Sequence, residues 1–121
     1  MGWSMVGNGQ GIQFFKGTFD EALVKAKEEK KLIFVDFYAV WCGPCKQMVE
    51  KVFVDEEVGK FMNDKFVCMQ VDVEKAGWQK ETAEKYNVTG LPTLIFFKAD
   101  ASVVTRLAGA RDKDDFLNSV K

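Results

Sequence analysis

The sequence contains no histidine. That excludes Ser-His-Asp hydrolytic triads, imidazole-ligated metal centres and haem with an axial His. Cysteine is scarce as well. Three thiols, two of them three positions apart, are too few and too unevenly placed for the disulfide framework of small secreted domains. Apolar runs such as 32–35 and 94–97 fall far short of the roughly 20 residues that a membrane helix needs. Neither sign of charge dominates, since 17 basic and 18 acidic side chains leave a formal charge of −1. No basic field exists to hold nucleic acid, and no acidic tail suggests a cationic partner. Internal repeats, low-complexity segments and linkers are absent from residues 12–121.

What is present fits one domain. A chain of 121 residues, 47% apolar, can bury roughly two-thirds of its unfolded surface and needs no staple. Residues 1–11 hold four glycines without periodicity and read as a flexible N-terminal tail. They lack the charged n-region and long apolar h-region of a secretory signal, so the chain as written is expected in the cytoplasm. A periplasmic setting stays open if a signal has been removed. Residues 12–15 suggest a first strand. Thr18-Phe-Asp-Glu21 is a capping box, followed by Phe19, Ala22, Leu23 and Ala26 along one helical face to about Lys30.

Residues 32–39 read as a strand apolar on both faces, the pattern of a central strand in a covered sheet. Helices are expected over 45–51, over 56–62 behind the cap Asp55, and over 76–86 with Trp78, Ala83 and Tyr86 inward. Strands are expected at 66–73, 94–97 and 103–107, the last two joined by the turn 99–102. Asp112 opens a final helix with Phe116, Leu117 and Val120 inward. The order β-α-β-α-β-α-β-β-α implies an α/β fold with helices on both faces of the sheet.

Chemistry concentrates at Cys42-Gly-Pro-Cys45. Cys42 follows a buried strand and stands where a helix begins, so unpaired backbone N–H groups there favour a thiolate, the attacking species in disulfide exchange. Cys45 lies about one helical turn on, within reach of the first sulfur. Pro44 stiffens the opening turn and needs no amide partner. Trp41 offers an apolar rim for a substrate chain. Three plainer readings compete: a zinc half-site, for which only Cys68 and carboxylates could complete the ligand set; a structural disulfide closing a very short loop; and coincidence.

Two further residues stand out. Asp36 sits inside Ile-Phe-Val-Asp-Phe-Tyr, where both faces are apolar, so its carboxylate loses hydration and its pKa should rise. It is either a buried proton acceptor for Cys45 or a structural Asp tied to an amide or water. Pro92, between Gly90-Leu91 and Thr93, cannot be an ordinary central ladder residue. A cis Leu91–Pro92 bond would suit a tight turn, and a trans proline at the first residue of a strand is the alternative.

The stretch Val35-Asp-Phe-Tyr-Ala-Val-Trp-Cys-Gly-Pro-Cys-Lys46 resembles the active-site strand and loop of the thioredoxin family. The likeness continues through Val71-Asp72, Gly90-Leu-Pro-Thr-Leu-Ile-Phe-Phe-Lys98 and Gly109, and spans about residues 12–121. It implies a thioredoxin fold, a central five-stranded mixed sheet flanked by about four helices. It also implies a protein-disulfide reductase with no cofactor or metal beyond a redox-active Cys42–Cys45 disulfide. Cys42 would be the nucleophile, Cys45 the resolving thiol, Asp36 the buried acid/base and Pro92 the cis-proline beside the sulfurs. Substrate would lie against Trp41, Gly43, Pro44, Gly90, Leu91 and Gly109, with Leu91 offering backbone hydrogen bonds to an extended chain.

The implied partners are disulfide-containing proteins and an upstream electron donor, either thioredoxin reductase or a membrane reductase. No nucleic acid is implied, and a monomer is expected. The sequence departs from the family in places. Glu50 stands where the helix after the motif usually carries a kinking proline, and Cys68 stands where a lysine often lies beside the buried Asp. The segment 52–58 and the stretch between Asp72 and Pro92 are more like the C-terminal domain branch of the transmembrane disulfide reductase DsbD. Cys68 itself reads as a buried, inert strand residue. Two rival readings remain: an oxidase or isomerase using the same chemistry in an oxidising compartment, and a non-catalytic interaction module of the same fold.

Overall fold

A computed structural model describes residues 11–121. The tail expected over residues 1–11 lies outside the described residues except for Gly11. There the backbone runs so close to the carbonyl of Phe53 that a Cβ would collide with it. The carbonyl of Gly11 accepts a hydrogen bond from Asn63 Nδ2 at 3.2 Å.

The sheet is built on β1 (Leu32–Tyr38). It pairs in parallel with β2 (Phe66–Asp72) and antiparallel with β3 (Thr93–Phe97), which pairs antiparallel with β4 (Val103–Ala108). The order is β2-β1-β3-β4, a mixed sheet with β1 and β3 inside. Among the described residues it has four strands, not the five expected. The run 12–15 makes one parallel bridge, Phe14 to Cys68, and no ladder. Its amides are drawn to three different elements. Ile12 N–H donates to Phe53 O at 2.8 Å, Gln13 N–H to Asn63 Oδ1 at 2.8 Å, and Phe15 N–H to Cys68 O at 2.7 Å. A ladder needs consecutive rungs to one partner, and here the rungs are divided. The apolar pattern of the run is still used, because Phe14 packs edge-on against Phe53 at 5.7 Å.

Alternation along β1 divides the core in two, as the two-residue period of a strand requires. Ile33, Val35 and Phe37 face α1 (Phe19–Glu29) and α4 (Trp78–Lys85), meeting Phe19, Ala22, Ala26 and Ala83. Trp78 and Tyr86 pack on the same cluster half-buried. Phe34 faces the other way, where its ring lies 5.9 Å from Phe53, 5.1 Å from Phe96 and 5.8 Å from Phe116. That side is covered by α3 (Glu56–Lys65), by α5 (Lys113–Val120) and by the segment after the cysteine pair.

Local signals place these helices. Thr18 and Glu21 close a reciprocal capping box on α1, the Asp55 carboxylate accepts from Glu57 and Val58 N–H, and Asp112 accepts from Asp115 N–H. The helix expected over 45–51 differs in form. It begins as α2 (Gly43–Met48) and widens into a π-helical turn over Val49–Phe53. No proline bends the chain at Glu50. The wider turn re-aims it instead, delivering Val52 and Phe53 to the core. Replacing Phe34 by Ala should lower unfolding free energy by about 3–5 kcal/mol in urea titrations. Val104→Ala on the exposed strand β4 should change it by less than about 0.5 kcal/mol.

Candidate active site

β1 ends at Tyr38, and four residues later Cys42 caps α2 with extended backbone angles, φ −80° and ψ 111°. Its sulfur takes the role that a Ser or Asp oxygen takes at other helix starts. Cys42 Sγ accepts a hydrogen bond from Cys45 N–H at 3.2 Å. Pro44 occupies the first helical turn, where its missing N–H leaves no donor unsatisfied. The turn sets the two Cα atoms 5.3 Å apart, and the sulfurs of Cys42 and Cys45 are joined as a disulfide. Both cysteines are only 3% exposed and pack with Ala39, Tyr38, Val73 and Leu91.

Around this centre the sequence-derived candidates fall into distinct places. Trp41 is 64% exposed, and Gly43 and Pro44 lie at the surface beside it. Leu91 packs directly on the cysteine cluster, and the Leu91–Pro92 peptide bond is cis. Thr93 Oγ1 donates to Gly90 O at 2.6 Å, closing the turn before β3. Gly109, at φ +85°, donates its N–H to Pro92 O at 2.9 Å. Gly90 and Gly109 are therefore tied to the Pro92 turn, while Trp41 and Leu91 border the cysteines themselves.

Asp36 lies on the Phe34 side of β1 and is 1% exposed. Burial pushes its carboxyl up from an ordinary 3.8 to about 7, opposed by a hydrogen bond from Gln70. Gln70 Nε2 donates to Asp36 Oδ2 at 3.2 Å, and Asp36 Oδ1 has no partner. Position 68, where a charge partner was sought in the sequence, is one step away: Phe34 pairs with Cys68 and Asp36 with Gln70. Sequence reasoning missed Gln70. The available signal was a lone amide in the otherwise apolar run 66–71, once strand register is known. Cys68 is a free, buried thiol, pushed up to about 12 chiefly by desolvation, so it stays protonated and inert.

A pocket of about 400 Å³ opens beside Cys45, lined among others by Tyr38, Val40, Val49, Glu50 and Gln70. Among the described residues no group of three His, Cys, Asp or Glu side chains is placed to hold a metal ion, and no helix is long and apolar enough to cross a membrane. Cys68, which a zinc site at Cys42 and Cys45 would need, packs in a different cluster from them. Two cysteines joined through their sulfurs at a helix start form a disulfide redox centre.

Comparison with known proteins agrees with the geometry. The family described as thioredoxin-like domain matches residues 19–121. An H-type thioredoxin of Oryza sativa subsp. indica is 43% identical over 105 residues, covering 87% of this chain and 79% of its own. The solution structure of a candidate disulphide-isomerase from Bacteroides thetaiotaomicron superposes with a TM-score of 0.82 at 43% identity, covering 94% of this chain and 93% of its own. The oxidised C-terminal domain of DsbD from Neisseria meningitidis superposes at 0.67 with 25% identity, covering 82% and 86%.

The buried carboxyl makes stability depend on pH in a definite direction. Below pH 3.8 Asp36 is neutral whether the chain is folded or not. Between 3.8 and about 7 only the unfolded chain ionises it, so folding loses free energy as pH rises. The full loss, above pH 7, is on the order of 4 kcal/mol. Asp36→Asn should flatten this component. The difference in unfolding free energy between variant and parent should therefore move in the variant's favour from pH 4 to pH 7.5, as measured by denaturant titration across that range.

Proposed function

The chain belongs to the thioredoxin-like family, and from that premise we propose that it reduces protein disulfides by dithiol–disulfide exchange. The observation that carries this reading is the Cys42–Cys45 bond at the start of α2, with Cys42 Sγ facing the Cys45 amide. In the reduced protein that same N–H stabilises a thiolate on Cys42, since an anion at a helix start gains both a donor and the local dipole. Cys42 thiolate attacks one sulfur of the substrate disulfide and expels the other as a thiolate, which takes a proton from solvent, leaving a mixed disulfide.

Cys45 completes the cycle. It gives its proton to Asp36, and its sulfur attacks Cys42 Sγ. The internal disulfide forms, and the second substrate sulfur leaves as a thiolate that takes a proton from solvent. Two electrons pass from protein to substrate, and two protons accompany them. A carboxyl held near neutrality suits this exchange, because an acid–base group works best when its pKa lies close to the working pH. The substrate chain lies along Trp41 and Leu91, with Gly43, Pro44, Gly90 and Gly109 leaving backbone room near the cis Pro92 turn. Disulfide-containing proteins are the substrates. An upstream reductase resets the pair, either a thioredoxin reductase or, by the likeness to the DsbD C-terminal domain, a membrane reductase.

The resemblance to a candidate disulphide-isomerase favours a second reading, the same exchange run towards oxidation or isomerisation. Redox potential separates the two. Equilibration in glutathione buffers should place the pair near the thioredoxin value of about −270 mV, whereas a potential above about −150 mV would assign it to oxidation. Cys42→Ser should abolish reduction of a protein disulfide. Cys45→Ser should instead accumulate mixed disulfides visible by mass spectrometry, and equal residual turnover in both variants would rule out the two-thiol cycle.

A further inference from the structure

The pocket beside Cys45 contains a side chain to which the cycle gives no part. Gln70 is half-buried and lines the pocket together with Cys45, Val49 and Glu50. The same side chain reaches Asp36, its Nε2 donating to Oδ2 at 3.2 Å. Asp36 is 1% exposed, and its other oxygen, Oδ1, is buried without a partner. One amide thus joins a sealed carboxyl to an open pocket shared with the resolving cysteine. We propose that Gln70 is a positioning residue of the redox centre: it holds Oδ2 of Asp36 and leaves Oδ1 for the proton of Cys45.

The inference rests on the reading of Asp36 as the proton acceptor. Its physical content is the choice of a neutral donor. An apolar residue at 70 would leave the carboxylate with no hydrogen bond in a desolvated site, and the ionised form would be hard to reach. A cation there would hold the carboxylate ionised and weaken its hold on a proton. An amide stabilises the anion without neutralising it, in keeping with a carboxyl poised at about 7. Other groups around Asp36 do not duplicate the effect. On β2 the neighbouring register positions carry the neutral thiol Cys68 and, opposite Tyr38 of β1, Asp72; on β3 Asp36 faces Leu94. From α2 and the π turn, Lys46 and Glu50 stand at the exposed wall of the pocket. Among the described residues Gln70 is the one side chain that donates to Asp36.

The proton balance closes. Cys45 S–H loses its proton to Asp36 as the Cys45–Cys42 bond forms and the bond from Cys42 to substrate breaks. The departing thiolate takes a proton from solvent, and Asp36 returns one to solvent.

Gln70→Met keeps the length of the side chain and removes the donor. Single-turnover reduction of a disulfide-bonded test peptide by the pre-reduced protein, followed from pH 5.5 to 9, should show the acid limb displaced upward by about one pH unit. That corresponds to roughly tenfold slower turnover near pH 6, with the parent rate recovered at pH 9. The carboxyl carbon shift of Asp36 in labelled protein should titrate with the same displacement. Gln70→Glu, which places a like charge beside Asp36, should displace both further. In Asp36→Asn the limb that remains should differ from the parent's and report the cysteine thiols alone, so adding Gln70→Met to it should move nothing more. An acid limb that is the same in Asp36→Asn as in the parent overturns the proton-acceptor reading and this inference with it. If the limb changes there, while Gln70→Met keeps the parent midpoint or slows turnover equally at every pH, the role of Gln70 alone is overturned.

Discussion

Burial of β1 on both faces is the constraint on which the rest of the molecule depends. Five of its seven residues, Ile33 to Phe37, are sealed from solvent, so both sides of the strand must be covered and its ends must be loops. Its carboxyl end emerges at Tyr38 and hands the chain directly to the cysteine loop. The rigidity of the sheet is thereby passed to Cys42, which is fixed on one side by the strand and on the other by α2. On a mobile loop the two cysteines would not be held in this alignment.

The same burial creates the electrostatic character of the site. A carboxyl placed on an otherwise apolar strand loses most of its hydration, and one hydrogen bond from a side-chain amide restores only part of it. Asp36 therefore reduces stability at neutral pH. Cys68 shows the contrasting outcome one register step away. Burial there pushes a thiol up to about 12, and the result is a protonated side chain that packs like a small apolar residue.

Much of the site was legible in the chain because its signals are local. A Cys at a helix start, a proline in the first turn and an Asp in an apolar run each state their surroundings through immediate neighbours. The failures came where partners are distant in sequence. Residues 12–15 carry a strand's pattern, yet their amides bond to Phe53, Asn63 and Cys68, residues of three other elements. Apolarity correctly marked this run as core-facing but could not say whether its backbone would find one continuous partner. Gln70 went unnoticed for the same reason, since its meaning depends on lying 34 positions from Asp36 and yet in register with it. The π turn after α2 was equally invisible, because a wider turn and a regular one use the same residue types.

By itself, then, the sequence determined which residues cap, which are buried and which carry sulfur chemistry, because capping, apolar periodicity and thiol spacing act within a few residues of the chain. Tertiary structure alone decided the number of strands in the sheet, the hydrogen-bond partner of the buried carboxyl and the walls of the pocket beside Cys45. Each of these is set by the register and packing of segments that meet only after folding, and no local preference encodes where two such segments come to rest against each other.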